Sequence, residues 1–246
     1  MATIDRFSGH ADLYAQYRID YPSELYEFLL TRIENRQKAW DCATGNGQVA
    51  SELARYFEIV EATDISAQQL EQAVRKPNIQ YTVCPAEQTV FADHSFDLIT
   101  VAQALHWFDA DAFHREVRRV GKPGALVAEW GYGGVQIDAA VDPIFNHFYE
   151  HIVGPYWDEN RRHVEDRYAR IPFPFSEVEQ REFTIYRNWD LERFLNYLRT
   201  WSSVQKYIRQ HGHDPVLWIA DQLKSRWANG ERQVRFPVFL RTGRKV

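Results

Sequence analysis

Apolar and polar positions along the 246-residue chain fall into two patterns that alternate from about residue 36 onwards. Short continuous apolar runs predict strands buried on both faces of a sheet, and apolar residues three or four positions apart predict helices. The predicted strands are Lys38–Cys42, Ile59–Thr63, Ile79–Val83, Phe96–Ala102 and Ala125–Trp130. Because helices separate these strands, the alternation predicts right-handed crossovers and a parallel sheet covered on both faces.

The helical pattern lies before and between these runs. Predicted helices span Ala11–Tyr17, Pro22–Arg32, 49–57, Ala67–Val74 and Asp109–Val120. Pro22 suits a first helical turn, where its missing N–H costs nothing. Before the fifth strand, Lys122-Pro123-Gly124 predicts a turn.

The pattern changes after Gly134. Residues 135–177 are rich in aromatic side chains and interrupted by four prolines, which is typical of an insertion. A sixth strand is predicted at Glu182–Tyr186 and a seventh at 234–240, where Pro237 predicts an irregularity because proline removes a ladder donor. We therefore expect one domain over 1–246. It has N-terminal helices in 1–35, a core at about 36–134 and 178–246, and a cap made by 135–177 with helices at about 190–228.

Composition and charge narrow the possible partners. Hydrophobic residues make up 45% of the chain, charged residues 26%, and the formal net charge is -5. A net negative charge disfavours nucleic acid and anionic membrane as partners, so we expect a small-molecule substrate. The beginning of the chain lacks the layout of a signal peptide, and no apolar run is long enough to span a bilayer. Cys42 and Cys84 as free thiols fit a reducing cytoplasm.

The strongest local signal is the loop that follows the first predicted strand, Trp40-Asp41-Cys42-Ala43-Thr44-Gly45-Asn46-Gly47-Gln48. Glycines between a strand and a helix let the backbone approach a ligand closely. Asp64 stands nineteen residues after Gly45, at the end of the second strand, where a carboxylate can accept both hydroxyls of a ribose. The alternative is that Asp64 caps the helix that begins near Ser66.

Gly45-x-Gly47-x-x-Ala50 also fits the dinucleotide fingerprint, so an NAD-dependent oxidoreductase is a second hypothesis. Two features oppose it: an acidic residue, Asp41, comes just before the loop, and no later segment resembles an independent catalytic domain.

Six motifs in order resemble the class I S-adenosylmethionine-dependent methyltransferases. They are D-x-A-x-G-x-G (41–47), A-T-D-I-S (62–66), C-P-A-E (84–87), S-F-D-L-I (95–99), A-L-H-W-F (104–108) and G-K-P-G-A-L (121–126). The chain is most similar to the trans-aconitate methyltransferase-like branch of the group that includes the ubiquinone-pathway enzymes. The resemblance covers about residues 7–132, and more loosely 198–202 and 235–237. Ala43 departs from the usual glycine, and we expect it to need a negative φ and to crowd the ligand.

The resemblance implies an α/β Rossmann-like methyltransferase fold with a seven-stranded, mostly parallel sheet, a cap after the fifth strand, and S-adenosylmethionine as cofactor. It implies that Asp41 helps to hold the methionyl ammonium, Asp64 the ribose, and Ile65 the adenine ring. Tyr14 and Arg18 would close over the cofactor. The remaining residues assigned to the cofactor are Ala43, Thr44, Gly45, Asn46, Gly47, Ala86, Glu87, Gln103, Ala104, His106 and Trp107.

The expected reaction is methyl transfer to a small molecule. No general base stands out, which favours an acceptor that is already ionised, such as a carboxylate. Arg199, Trp201 and Ser202 form a candidate carboxylate pocket; alternatively, Arg199 pairs with Glu192 or Asp190 on its own helix. An amine, phenol or quinone-type acceptor and a non-catalytic S-adenosylmethionine-binding protein are further hypotheses.

A metalloenzyme is another alternative, because His147-Phe148-Tyr149-Glu150-His151 matches H-x-x-E-H. The sequence offers no third ligand in a comparable setting, so we expect no metal. The pair Arg161-Arg162 is interpreted as part of a solvated face.

Overall fold

A computed structural model describes residues 19–227 and 230–246, in which seven strands form one sheet. The strands are β1 Lys38–Cys42, β2 Ile59–Asp64, β3 Ile79–Val83, β4 Phe96–Ala102, β5 Gly121–Tyr132, β6 Ser176–Trp189 and β7 Arg232–Arg244. Their order is β3-β2-β1-β4-β5-β7-β6, and β7 pairs antiparallel with both of its neighbours, whereas β1 to β5 pair in parallel. The predicted seven-stranded, mostly parallel sheet is confirmed.

Helices cover both faces of this sheet. They are α1 Ser23–Leu30, α2 Gln48–Leu53, α3 Ala67–Glu71, α4 Ala110–Val120, α5 Asp142–His147, α6 Arg161–Glu165, α7 Leu191–Arg199, α8 Ser202–His211 and α9 Leu217–Trp227. The sequence predicted α1 to α4 within a few residues of their ends. The predicted helix Ala11–Tyr17 lies outside the described residues.

The fifth strand differs from its prediction. β5 begins at Gly121 and passes through the residues predicted to form a turn, including Pro123. Gly124 adopts φ +76° and donates its N–H to the Lys245 carbonyl (3.0 Å), and the pairing with β4 shifts register between Phe96 and Leu98. A glycine in the left-handed region lets the strand absorb the three extra residues without ending, so the predicted turn is an irregularity inside the strand.

Pro237 does not shift the register of β7 against β6, but it coincides with the end of the ladder between β7 and β5. Pro237 pairs in register with Thr184 of β6, and its carbonyl accepts the Gly133 N–H (3.0 Å) just beyond the end of β5. In an antiparallel strand the N and C=O of one residue point to the same side. The missing N–H of Pro237 therefore lies on the side of Gly133 and cannot return a bond to it, and the ladder between β5 and β7 ends at the preceding pair, Tyr132 and Val238.

Alternate side chains of the central strands divide the interior into two clusters. On one face, Ala39 belongs to a core that includes Leu25 of α1 and Phe194 of α7. On the other face, Trp40 packs in a core with Phe113 of α4. Helices from the predicted cap thus share a core with the sheet, whose carboxyl edge they border.

No helix in the described ranges has the length and apolar character needed to cross a membrane. Cys42 and Cys84 are both free thiols, Cys42 buried and Cys84 partly buried.

Candidate functional site

The predicted cofactor residues converge on one edge of the sheet. Because β1 pairs in parallel with both β2 and β4, the carboxyl ends of these three strands lie side by side. Asp41 lies near the end of β1, Asp64 ends β2, and Gln103 directly follows β4. Open α/β sheets place their ligands at this edge. Tyr14 and Arg18 lie outside the described residues.

The loop from Ala43 to Gly47 turns sharply. Ala43, Gly45 and Gly47 have φ values of +52°, +57° and +81°. The expectation that Ala43 needs a negative φ is therefore wrong. The left-handed conformation costs an alanine about 1–2 kcal/mol. The next residue, Thr44, donates its N–H to the Thr63 carbonyl (2.9 Å), which holds the turn against β2.

Asp41 is buried and ties this loop to its neighbours. Its Oδ2 accepts the Thr44 hydroxyl (2.5 Å) and the backbone N–H of Ala50 in α2 (3.0 Å). Its Oδ1 accepts the hydroxyl of Thr100 in β4 (2.9 Å). A buried carboxylate is stabilised by such charge-assisted hydrogen bonds, so Asp41 fixes the loop relative to β4.

Asp64 joins two loops. Its Oδ2 accepts the Gly45 N–H and its Oδ1 accepts the Ser66 N–H, both at 2.9 Å. The helix cap is Ser66 itself, whose side chain accepts the N–H of Gln69 (3.3 Å), so the alternative of Asp64 as the cap of α3 is wrong. The partly buried carboxylate of Asp64 instead braces the glycine loop.

The hydrogen bonding of the loop decides between the two cofactor hypotheses. A dinucleotide places its diphosphate on unpaired backbone N–H groups. Here the N–H groups of Thr44, Gly45 and Gly47 are already donated to Thr63, Asp64 and Thr44. What the edge offers is hydrogen-bond acceptors, including the buried Oδ1 of Asn46, which has no partner within the described ranges. Carboxylates and an open amide oxygen fit a ligand with an ammonium group and ribose hydroxyls, and they disfavour a diphosphate.

The next predicted contacts follow β2 and β3. Ile65 is partly buried and Ala86 is buried. The Glu87 carboxylate accepts the N–H of Asp109 (3.1 Å), the residue that caps α4. Glu87 therefore links the segment after β3 to the start of α4.

Gln103 joins the ends of β4 and β5. It adopts φ +57°, and its side-chain amide exchanges two hydrogen bonds with the backbone of Tyr132. The Tyr132 N–H donates to Oε1 (2.9 Å), and Nε2 donates to the Tyr132 carbonyl (3.2 Å). The amide copies the pairing of a backbone peptide, and it extends the contact between the two strands beyond Ala102.

The segment after Gln103 carries an aromatic pair. Ala104 precedes a single 3₁₀ turn, Leu105–Trp107, in which the His106 ring lies 4.8 Å from that of Trp107 and its Nδ1 lies 3.4 Å from the Tyr168 hydroxyl. Burial, reinforced by the positive charge of Arg161, lowers the pKa of His106 to about 3. His106 is therefore a neutral imidazole at physiological pH.

A cavity of about 100 Å³ opens beside these residues, between the sheet and the cap. Its lining comes from the end of β4, the end of β5, and α5 to α8 with their connections. The lining residues are Gln103, His106, Trp107, Tyr132, Gly133, Gly134, Tyr149, Trp157, Asp158, Arg161, Tyr197, Thr200, Trp201 and Ser202.

Two of the three predicted acceptor residues, Trp201 and Ser202, line this cavity, but Arg199 does not. Arg199 donates from Nε to Asp214 Oδ2 (2.7 Å) and from Nη1 to Asn196 Oδ1 (2.9 Å). The alternative that Arg199 forms an ion pair is therefore confirmed, but its partner is Asp214 and not Glu192 or Asp190. The acid that binds Arg199 comes from the connection before α9, which the sequence pattern of α7 could not indicate.

The sequence pattern missed Arg161. It begins α6 and lines the cavity, whereas its neighbour Arg162 is exposed, so the interpretation of the pair as a solvated face holds for Arg162 and is wrong for Arg161. Adjacent helical residues point about 100° apart, so they reach different surroundings. The one available signal was the aromatic residues Tyr149 and Trp157, which precede Arg161 in the insertion.

Within the described residues, the H-x-x-E-H segment is not part of a cluster that could hold a metal ion. His147 ends α5 and the rest of the segment forms a π-helical turn, with the two histidine rings 5.0 Å apart. The side chains of Glu150 and His151 are exposed. Among the described residues, no group of three or more His, Cys, Asp or Glu side chains is placed to hold a metal ion.

Comparison with known proteins decides the family. A solved structure described as a "Putative Type II Methyltransferase from Anaeromyxobacter dehalogenans" is 39% identical to this chain, covers 94% of it, and is itself covered to 99%, with a TM-score of 0.87. The chain belongs to the class I S-adenosylmethionine-dependent methyltransferases. Its cofactor is S-adenosylmethionine.

Further matches agree with this membership. Residues 40–128 of the methyltransferase match the family described as "Methyltransferase domain". A "Putative methyltransferase" of Dictyostelium discoideum is 29% identical over 98% of this chain and 95% of its own length. A methyltransferase structure from an antibiotic biosynthesis pathway of Anabaena variabilis shares the fold, with 17% identity, a TM-score of 0.61, and coverage of 91% of this chain and 98% of its own.

Proposed function

We propose that this methyltransferase holds S-adenosylmethionine along the carboxyl edge of β1, β2 and β4 and methylates a small carboxylic acid in the cavity beneath the cap. One observation carries the proposal. Gln103, His106 and Trp107 follow the strand that borders the cofactor edge, and the same three residues line the cavity. A cofactor at the edge and an acceptor in the cavity would therefore meet at these side chains.

Each part of the cofactor is assigned to hydrogen-bond acceptors at the carboxyl edge of the sheet. Asp64, which accepts the Gly45 and Ser66 amides, would also accept the ribose hydroxyls. Asp41 and the Asn46 amide oxygen would face the methionyl ammonium, and Ile65 would pack on the adenine ring. Ala86 and Glu87 would lie at the edge of that ring. Ala43, Thr44 and Gly47 would shape the loop around the same ligand, and Ala104 the segment after β4.

The chemistry favours an ionised acceptor. S-adenosylmethionine supplies an electrophilic methyl group on a sulfonium, which leaves as a neutral thioether. A carboxylate oxygen provides the electron pair for the new O–C bond and carries no proton to be removed. His106 has a pKa of about 3 and is a weak base, because burial disfavours its protonated form. The protein's contribution is then to position the acceptor and to exclude water.

The cap makes the acceptor site. Segments 135–177 and 190–228 supply Tyr149, Trp157 and Trp201, whose rings lie 5.4 to 5.6 Å from one another in one wall of the cavity. Such a wall shields the reacting atoms from water and accepts an apolar or unsaturated acceptor body. We place the enzyme in the trans-aconitate methyltransferase-like branch that its motifs resemble. We also place it in the cytoplasm, on its two free thiols.

Two measurements test the proposal. Calorimetry with S-adenosylmethionine, S-adenosylhomocysteine and NAD is expected to show binding of both adenosyl compounds and none of NAD. Incubation with methyl-labelled S-adenosylmethionine and a panel of small carboxylic acids, phenols and amines is expected to yield a labelled methyl ester. Label that appears only in amines or phenols would refute the carboxylate acceptor while leaving the methyltransferase intact.

A further inference from the structure

Arg161 lines the cavity from the first turn of α6, and much of its guanidinium group has no hydrogen-bonding partner among the described residues. Its Nε donates to the Tyr149 hydroxyl (3.3 Å), and its guanidinium carbon lies 4.7 Å from the centre of the Trp157 ring. Tyr149 in turn donates its proton to Glu165 (2.6 Å), so the tyrosine oxygen is free to accept from Arg161. Within residues 19–227 and 230–246, the two terminal nitrogens of Arg161 have no hydrogen-bond acceptor and no carboxylate at ion-pair distance.

Three other shielded arginines of the chain are paired with carboxylates. Arg119, Arg199 and Arg241 each contact a carboxylate, at 2.6, 2.7 and 2.7 Å. A guanidinium removed from water without a counter-charge costs free energy, because little of its lost hydration is replaced. Arg161 differs from these three arginines, and its unpaired charge faces the cavity.

The acids nearest the cavity are engaged elsewhere. Asp158 also lines the cavity, and its Oδ1 accepts a hydrogen bond from Lys206 (2.5 Å). Glu165 accepts from Tyr149. The groups that raise the pKa of Arg161 against the opposing effect of burial are Tyr149, Tyr197 and Tyr132, all uncharged hydroxyls at neutral pH. The cavity therefore offers a net cation ringed by aromatic side chains.

We propose that Arg161 binds a carboxylate of the methyl acceptor as a planar fork, with the acceptor body against the Tyr149–Trp157–Trp201 wall. A guanidinium matches a carboxylate with two parallel N–H···O bonds. Because this pairing withdraws electron density from the oxygens it holds, the bound carboxylate is an anchor and the methyl-accepting atom is a second group of the same molecule. This inference rests on the proposed function, and it names the residue that selects the acceptor.

The test uses binding rather than turnover. The whole protein is saturated with S-adenosylhomocysteine, and calorimetry measures the affinities of benzoate, succinate and fumarate beside those of the corresponding amides. The variants are Arg161→Gln, which removes the charge, and Arg161→Lys, which keeps the charge and loses the fork. Arg162→Gln, on the exposed neighbour, is the matched control.

We expect at least one acid to bind about ten- to a hundredfold more tightly than its amide, the range of a charge-assisted hydrogen bond. That preference disappears in Arg161→Gln, is reduced in Arg161→Lys, and is unchanged in Arg162→Gln. Affinity for S-adenosylhomocysteine stays the same in all variants, which shows that they are folded.

Two results would overturn the role of Arg161: equal affinities for acids and amides in the wild-type protein, or a preference for acids that survives Arg161→Gln. If the latter occurs while labelled methyl still enters acids, the proposed function stands and only the anchor is wrong. Failure of the wild-type protein to bind S-adenosylhomocysteine would instead remove the proposed cofactor site.

Discussion

Replacing Asp64 by alanine separates its two roles, as brace of the glycine loop and as partner of the ribose. The free protein loses the hydrogen bonds from the Gly45 and Ser66 amides. A hydrogen bond to a charged group contributes about 1.5–3 kcal/mol when fully shielded, and Asp64 is partly exposed, so water replaces part of each. We expect the free energy of unfolding to fall by about 1–3 kcal/mol and the fold to survive.

The affinity for the cofactor is also expected to fall in Asp64→Ala. Loss of even one charge-assisted hydrogen bond from the ribose costs about 1.5–3 kcal/mol, which corresponds to a roughly 10- to 150-fold rise in the dissociation constant. Calorimetry with S-adenosylhomocysteine, well below the unfolding midpoint of each variant, measures this constant, and urea unfolding measures stability. Glu71→Ala, on the exposed side of α3, controls for the loss of a negative charge nearby.

An unchanged dissociation constant in Asp64→Ala would refute the ribose assignment and leave Asp64 as a loop brace only. Asp64→Asn refines the result, because its amide oxygen can still accept one of the two backbone N–H groups. If affinity falls in Asp64→Asn as far as in Asp64→Ala while stability falls less, the negative charge itself binds the ribose.

Three further predictions follow from other parts of the site. The lowered pKa of His106 means that the unfolded chain binds a proton that the folded chain does not between about pH 3 and 6.5. The free energy of unfolding is therefore expected to decline as pH falls through this window, by up to about 1.4 kcal/mol per pH unit. Urea unfolding of His106→Asn is expected to show a flatter dependence on pH in the same window. An identical pH dependence in the variant contradicts this. Gly47→Ala places a Cβ 2.3 Å from the Tyr81 hydroxyl at φ +81°, so we expect a loss of about 1–3 kcal/mol in unfolding free energy, part of it recovered when Tyr81 is also changed to Phe. Full retention of stability would show that the loop adapts. Chelator treatment is expected to leave activity intact, and one bound zinc per chain in elemental analysis would revive His147 and His151 as ligands.

The central strands of the parallel half were predictable because they are buried on both faces. β1 and β4 occupy their predicted ranges, and β2 is longer only by Asp64, since continuous apolar runs have few alternatives. The edge strand β3 also occupies its predicted range, although most of its side chains are partly or fully exposed. The antiparallel edge was not predictable to the same extent. β6 extends six residues before and three after its predicted range, and its outer side chains are largely exposed, so no apolar run marks its ends.

The cofactor edge was predictable from motifs and the acceptor cavity was not. Residues such as Asp41 and Asp64 occur at strand ends, so local sequence places them at one edge of the sheet. The cavity depends on how the cap helices pack over that edge, a contact between segments distant in sequence. Arg161 and Arg199 both lie on cap helices, and only the packed structure shows that Arg161 faces the cavity whereas Arg199 is held by Asp214.

The hydrogen bonds that saturate the glycine loop have a thermodynamic consequence. Asp41 and Asp64 hold the loop in its turned conformation through contacts within the protein itself, so the entropy of ordering it is lost when the chain folds. Cofactor binding then carries little of that cost, and more of the contact energy appears as affinity. The left-handed Ala43 has a similar effect. Its strain lowers the free energy of unfolding of the enzyme, and in return the binding surface is rigid when the cofactor reaches it.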